Sequence, residues 1–311
     1  MKAVLPALAR PLLEPHLPAG LEVSWFASRE EAGAMIVDAD IAWVDMQRGV
    51  WTAEAVAKAT RLRWLSTIFA GIDFLDLDAL RANGTTVTNG TGINALAVAE
   101  YAVMGVLVAA KRYDEVVRLA DKHEWTLQAP GQVELFETRA LIVGMGAIGK
   151  LIGERLTAFG VEVVGVTRSG RDGTLTPDQW QAKLGEFDWV ILAAPSTDAT
   201  KAMIGADELA AMKPRAWLIN IARGDMIDEA ALLAALNGRK IAGAFLDPTH
   251  PEPLPPDHPL WSAPNCLITM HLSGRSQTKM FPRAAALFLR NVEAFVNGRP
   301  MENVVDLDAG Y

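Results

Sequence analysis

The stretch from Leu141 to Lys150, LIVGMGAIGK, restricts what this chain can fold into more than any other. Leu141-Ile142-Val143 reads as the end of a buried strand, and Lys150 to Phe159 has helical character. Between them stands G-x-G-x-x-G, with glycines at Gly144, Gly146 and Gly149. In such a turn the first glycine permits the tight bend, the second lets the backbone approach a pyrophosphate, and the third lets the helix pack close to the strand. The N–H groups at the helix start then face the phosphates, so Ala147 and Ile148 join the glycines as expected cofactor contacts. The flanking strand and helix are what separate a dinucleotide turn from an ordinary glycine-rich loop.

The next strand bears on which dinucleotide is held. An acidic residue about 20 positions on would accept the adenine ribose hydroxyl of NAD. The strand Val161–Val166 ends instead in Thr167-Arg168-Ser169-Gly170-Arg171. Thr167, Arg168, Ser169 and Arg171 offer hydroxyls and two cations to a 2′-phosphate, so NADP(H) is the expected cofactor, with NAD(H) as the alternative. An incidentally basic, solvated turn would look the same at this level.

The rest of the chain has the same rhythm. Short apolar strands are expected at Leu21–Phe26, Asp40–Val44, Trp64–Phe69 and Thr85–Thr88, with a helix over Ala53–Arg61. A long helix is expected from Asn94 to about Ala120, apolar nearly all round at first and charged later. Past a polar loop at residues 125–138 come strands at Trp189–Leu192, Trp217–Ile221, Gly243–Leu246 and Cys266–Thr269. Helices are expected at Asp207–Met212, Glu229–Asn237 and Arg283–Val296. Alternation of this kind means parallel sheets with covering helices, here in two α/β lobes. The glycine turn opens the second lobe, and the last helix is expected to return to the first. The expected division is 1–93 with 282–311 as a discontinuous substrate-binding domain, and 94–281 as the dinucleotide-binding domain.

Composition narrows the class of partner. A formal net charge of −8 over 311 residues argues against a nucleic acid held through phosphates. It leaves room for a small anion at a local basic site. The single cysteine, Cys266, allows no internal disulfide, which suits a reducing compartment. No apolar run reaches the ~18 residues of a membrane span, and MKAVLPALAR, broken by Pro6, makes a poor secretory signal. A cytoplasmic protein without membrane or metal partners is expected.

Hydride chemistry with a dinucleotide leaves the protein to bind, orient and move a proton, at the carboxyl ends of the strands. Arg223 follows the Trp217–Ile221 strand and could fork onto a carboxylate. His271 follows the Cys266–Thr269 strand, alone so placed among His16, His123, His250, His258 and His271, and could pass a proton to a carbonyl oxygen. Glu252, in Pro251-Glu252-Pro253, could brace that imidazole. Taken singly, each has an ordinary structural reading.

As an ordered set they do not stand alone. The chain resembles the D-2-hydroxyacid dehydrogenases over nearly its whole length, most densely from Gly144 to Gly274. The match runs through GMGAIG, PSTDAT at 195–200, MKPRAWLINIARG at 212–224, Asp228-Glu229, GAFLDPTHPEPLPPDHPLW at 243–261 and PNCLITMHLSG at 264–274. Earlier matches are Ala70-Gly71-Ile72-Asp73, NALAVAE at 94–100 and Trp125. The resemblance implies two Rossmann-like or flavodoxin-like lobes with the active site in the interdomain cleft. It makes Arg223 the group that binds the substrate carboxylate and polarises the carbonyl, His271 the proton donor and acceptor, and Glu252 its partner. It gives Asp247 to the nicotinamide carboxamide, adds Ala194, Pro195, Thr200, Ile221, Ala222 and Gly274 to the cofactor site, and gives the Ala70 and Gly71 backbone to the substrate carboxylate. It also implies a homodimer.

Three residues depart from the family's pattern: Met270 for a proline, Pro248 for a valine, and Phe69 for a small residue. The expected reaction is reduction of a small 2-keto acid to a D-2-hydroxy acid, glyoxylate or hydroxypyruvate first, with a bulkier keto acid as the alternative. A rival from another class is a non-catalytic, cofactor-sensing protein like the corepressors that share this fold. It would need a partner-binding surface or tail, and no extension is expected at either end. Formate dehydrogenases carry glutamine where Glu252 stands. Phosphoglycerate dehydrogenases often have an extra regulatory domain.

Overall fold

The computed structural model describes residues 1–46 and 48–308. The chain divides into two compact units, Met1–Asn94 with Gln277–Tyr311, and Ala95–Ser276. The second change-over falls a few residues before the expected 281/282. Side-chain bonds explain why: Gln277 Nε2 donates to Asn94 Oδ1 at 2.7 Å and Arg283 Nη1 donates to Gln277 Oε1 at 2.9 Å, tying this segment to the first unit.

The first unit is built on a five-stranded parallel sheet in the order β2-β1-β3-β4-β5. Its strands are β1 (Lys2–Pro6), β2 (Glu22–Phe26), β3 (Ile41–Ala42), β4 (Trp64–Ser66) and β5 (Thr86–Thr88). Successive side chains go to opposite faces. Val4, Ala42, Leu65 and Val87 therefore pack on one side with Ile36 and Leu80. Ala3, Leu5, Ile41 and Trp64 pack on the other, with Phe288 and Val292 of the Met280–Val296 helix. Trp64 stacks on Phe288 with ring centroids 5.0 Å apart. β1 was not among the expected strands; Pro6, which interrupts the apolar run, is its last residue. The expected helix over Ala53–Arg61 instead runs from Gly49 to Val56. Beyond it the chain turns away, because Thr60 gives both its N–H (2.9 Å) and its hydroxyl (2.7 Å) to the carbonyl of Val37.

The second unit holds a six-stranded parallel sheet in the order β11-β10-β9-β8-β6-β7. Its strands are β6 (Arg139–Val143), β7 (Glu162–Val166), β8 (Trp189–Leu192), β9 (Trp217–Asn220), β10 (Gly243–Leu246) and β11 (Cys266–Ile268). Both faces are covered: Leu141, Val190 and Leu218 enter one apolar layer, and Ala140, Ile142, Ile191 and Ile219 the other. The central strands are accordingly near-continuous apolar runs. β6 is flanked by β7 on one side and β8 on the other, so the strand order reverses beside it. That is where a doubly wound sheet opens a crevice for a ligand. Because every strand is parallel, the loops after β6, β8, β9, β10 and β11 leave from one edge.

The expected helix from Asn94 to Ala120 is two helices, Ala95–Lys111 and Tyr113–Asp121. Arg112 breaks it, with φ 48° and ψ 45° in the left-handed region. Its guanidinium is held by Asn265 Oδ1 at 2.9 Å and Glu115 at 2.5 Å, and lies over the Trp217 ring. These tertiary contacts outweigh the helical propensity of the run.

Candidate active site

The glycine turn meets the three demands read from its sequence. Gly144 has φ +103°, and a Cβ there would lie 2.5 Å from the Ala194 amide nitrogen. A Cβ on Gly149 would lie 1.9 Å from the Gly144 carbonyl oxygen, so the helix can seat on the turn only without one. A Cβ on Gly146 would meet nothing within 4 Å, which leaves open space where a pyrophosphate would approach. The helix Ala147–Ala158 starts with Gly146 as its N-cap and no side-chain cap bond. Its first N–H groups are thus available to an anion. The residues fit a dinucleotide.

After β7, Arg168, Ser169 and Arg171 are exposed, while the Thr167 and Thr174 hydroxyls are bonded at 2.7 Å. Asp172 follows at once, exposed and with φ 57°. Thr200 closes the turn after β8, donating its hydroxyl to the Pro195 carbonyl at 2.8 Å and accepting the Thr197 N–H at 2.8 Å.

The loop after β9 is set by a residue expected only as part of the Trp217–Ile221 strand. Asn220 is fully buried. Its Nδ2 donates to the Arg223 carbonyl at 2.8 Å and its Oδ1 accepts the Ala222 N–H at 3.0 Å. One side chain thereby shapes the backbone that carries Ile221, Ala222 and Arg223. Arg223 Nη1 donates to the Ala222 carbonyl at 2.9 Å. Gly224 then lets this loop touch the next one, since its absent Cβ would stand 2.1 Å from the Thr249 carbonyl carbon.

The β10 and β11 loops bring His271 and Glu252 together. His271 Nδ1 and Glu252 Oε1 are 2.7 Å apart, with the side chains 39% and 45% exposed. The bond to His271 holds the Glu252 carboxyl below the usual carboxylate range against its partial burial, with the charges of His271, Arg223 and Arg275 acting in the same direction. His271 has φ 55° and Met270 before it φ 54°, two successive left-handed residues without glycine. Asp247 holds them there. Its carbonyl accepts the His271 N–H at 2.7 Å. Its Oδ1 accepts the Thr269 hydroxyl at 2.7 Å and the Leu272 N–H at 3.0 Å, and its Oδ2 the Ser273 N–H at 3.2 Å. At 1% exposure, Asp247 is visible as the anchor of the histidine loop. On the Ala95–Lys111 helix, burial, and then the charge of Asp247, push the phenol of Tyr101 up. Burial pushes the Cys266 thiol up to about 12, leaving it a poor nucleophile.

In the first unit, the expected carboxylate loop follows β4. Asn89 Nδ2 donates to the Ala70 carbonyl at 2.8 Å and the Gly90 N–H to the Phe69 carbonyl at 2.9 Å. Phe69, the departure beside this loop, is fixed edge-on against Phe74 at 5.5 Å.

A dinucleotide turn, an imidazole–carboxylate pair and an arginine, all on the carboxyl edge of one doubly wound sheet, define a nicotinamide-dependent oxidoreductase. The sequence profile of the D-isomer specific 2-hydroxyacid dehydrogenase NAD-binding domain matches residues 103–273. A glycerate dehydrogenase of Methylorubrum extorquens is 33% identical over 311 residues, covering 97% of this chain and 96% of that protein. Among solved structures, a D-isomer specific 2-hydroxyacid dehydrogenase family protein of Aeromonas salmonicida superposes with TM-score 0.87 at 29% identity, covering 99% of each chain. The NADPH-dependent glyoxylate/hydroxypyruvate reductase of Sinorhizobium meliloti does so with TM-score 0.81 at 25% identity, covering 98% of each. The chain belongs to the D-isomer-specific 2-hydroxyacid dehydrogenase family, and it is a 2-hydroxyacid dehydrogenase or reductase.

Proposed function

We propose that this enzyme reduces a small 2-keto acid to the D-2-hydroxy acid with NADPH, glyoxylate and hydroxypyruvate being the first substrates to try. The observation that carries the reading is the 2.7 Å bond between His271 Nδ1 and Glu252 on the edge that bears the glycine turn. With Nδ1 committed to the carboxylate, Nε2 is the nitrogen left to give its proton to a carbonyl oxygen. Glu252 fixes the ring and stabilises the imidazolium. Arg223 takes the substrate carboxylate and polarises the carbonyl. In the first unit, we assign a carboxylate-binding role to the amides of Ala70 and Gly71. The nicotinamide, when bound, supplies the hydride; Gly144 to Gly149 would hold its diphosphate, with Ala194, Pro195, Thr200, Ile221, Ala222 and Gly274 as further contacts.

The basic turn at Thr167–Arg171 supports NADPH over NADH, as does the likeness to a reductase described as NADPH-dependent. A homodimer is supported by the apolar surface of the second unit. Trp125 and Leu127 are 93% and 95% exposed, and the same unit holds a shallow groove of about 560 Å³ lined by residues that include Val103, Met104, Leu107 and Phe159. Among the described residues no helix is long and apolar enough to cross a membrane. The single, largely buried cysteine supports a reducing, cytoplasmic setting.

The test is His271→Ala. Loss of the proton donor should cut kcat by about 10²–10⁴ while NADPH affinity stays near wild type. Near-wild-type turnover in that variant would sink the assignment.

A further inference from the structure

The first unit holds a buried carboxylate that the proposed reaction does not use. Past β3 the chain continues through Trp43 and Val44 to Asp45, on the carboxyl side of the first sheet. Asp45 Oδ1 accepts the Thr67 hydroxyl at 2.7 Å. Its Oδ2 accepts the Ile68 N–H at 2.6 Å and the Trp43 indole N–H at 2.9 Å. Thr67 Oγ1, having given its proton to Asp45, in turn accepts the Phe69 N–H at 3.2 Å. The donors at 67–69 are thus gripped from one side, and the carbonyls of Phe69 and Ala70 from the other by Gly90 and Asn89. The clamp is close: a Cβ on Gly90 would lie 1.9 Å from the Ile68 carbonyl oxygen. Among the described residues, the N–H groups of Ala70 and Gly71 donate to nothing.

We infer that Asp45 is a positioning residue, which through Thr67 and Ile68 sets the Ala70 and Gly71 amides for the substrate's carboxylate. The inference rests on the substrate class proposed above. Three neutral donors converge on two oxygens, and only an ionised carboxylate can accept all of them without presenting a donor of its own. Asparagine or a protonated acid would turn an N–H or O–H toward a donor. Among the described residues the groups facing Asp45 are the Thr67 hydroxyl, the Ile68 N–H and the Trp43 indole, with no charged side chain, and burial raises its carboxyl to about 6. Ionised Asp45 accepts all three bonds, and the raised value records that their donors only partly offset the burial of its charge.

The experiment compares wild type, Asp45→Asn and Thr67→Val in the full-length protein. The Asn variant should raise KM for hydroxypyruvate about tenfold, the effect of one lost charge-assisted hydrogen bond. Its kcat and NADPH affinity should change far less. Thr67→Val, which cuts the link to Phe69 and keeps the carboxylate, should raise KM severalfold and serves if the Asn variant does not fold. Amide hydrogen exchange at residues 68–71 should quicken in both variants. Unchanged exchange overturns Asp45 as the anchor. Quickened exchange with unchanged KM overturns the loop as the carboxylate cradle. A wild type inert toward every keto acid sinks the proposed reaction instead, and exchange still decides whether Asp45 holds the loop.

Discussion

Gly224→Ala tests whether Arg223 and Glu252 are set by one main-chain contact. The added Cβ would stand 2.1 Å from the Thr249 carbonyl carbon, 2.3 Å from its oxygen and 2.5 Å from the His250 nitrogen. Ordinary contact begins near 3.4 Å, so the two segments must part by about 1.3 Å. Every atom struck is backbone, and no rotamer change relieves the clash. Arg223 precedes the methyl directly and Glu252 follows His250 by two residues, so the displacement falls on both. Overpacking of this kind costs ~1–3 kcal/mol of stability, a drop of a few degrees in Tm. A misplacement of about 1 Å at reacting groups costs on the order of a hundredfold. The expected result is a kcat/KM for hydroxypyruvate lowered roughly 10²-fold. NADPH affinity should be nearly unchanged, since Gly144, Gly146 and Gly149 are untouched. The assay is steady-state reduction followed by NADPH absorbance, with thermal unfolding and cofactor titration in parallel. A folded variant with kcat/KM within about threefold of wild type would refute the reasoning, because the loops would then be shown to move without consequence.

Two further outcomes are expected. Arg168→Ala should weaken NADPH binding by about tenfold or more, as loss of a charged hydrogen bond to a phosphate does, and should leave NADH nearly unaffected; equal loss for both cofactors in a fluorescence titration would dismiss the 2′-phosphate reading. Replacing Trp125 and Leu127 together by serine should shift sedimentation from dimer to monomer at micromolar concentration; a wild type that sediments as a monomer, or a variant that remains dimeric, would remove this surface as the interface.

The parts of the fold legible in the sequence were those where one local pattern suffices. The strands Trp189–Leu192 and Gly243–Leu246 and the helix Glu229–Asn237 fall where the apolar runs place them. The break at Arg112 was invisible, because it comes from Asn265 and Trp217, far along the chain. β1 was passed over because its run is short and ends in Pro6, and its partners, β2 and β3, lie further along the chain. The site follows the same division. Arg223, Glu252 and His271 have the chemistry a reader looks for and could be named. Asn220 acts by accepting from and donating to main chain, and Asp45 by accepting alone; polar residues at strand ends are too common for type alone to single them out. Gly224 is plain at the end of the 212–224 segment, but its close partner at Thr249 appears only once β9 and β10 are paired.

The departure at Met270 shows how such hidden constraints tie together. By resemblance a proline is expected where Met270 stands, directly before His271, the proposed proton donor. In the structure Met270 has φ 54°. A proline ring locks φ near −65°, so proline could not occupy this backbone at all. The loop has instead adopted two consecutive left-handed residues, each costing of order 1–3 kcal/mol, and such a conformation persists only where its surroundings impose it. Asp247 imposes it, accepting from the N–H groups of His271, Leu272 and Ser273 and from the Thr269 hydroxyl. The rigidity a proline would give through its ring is supplied here by one buried carboxylate on the neighbouring strand. The imidazole is thereby fixed from two sides, its backbone by Asp247 and its ring by Glu252.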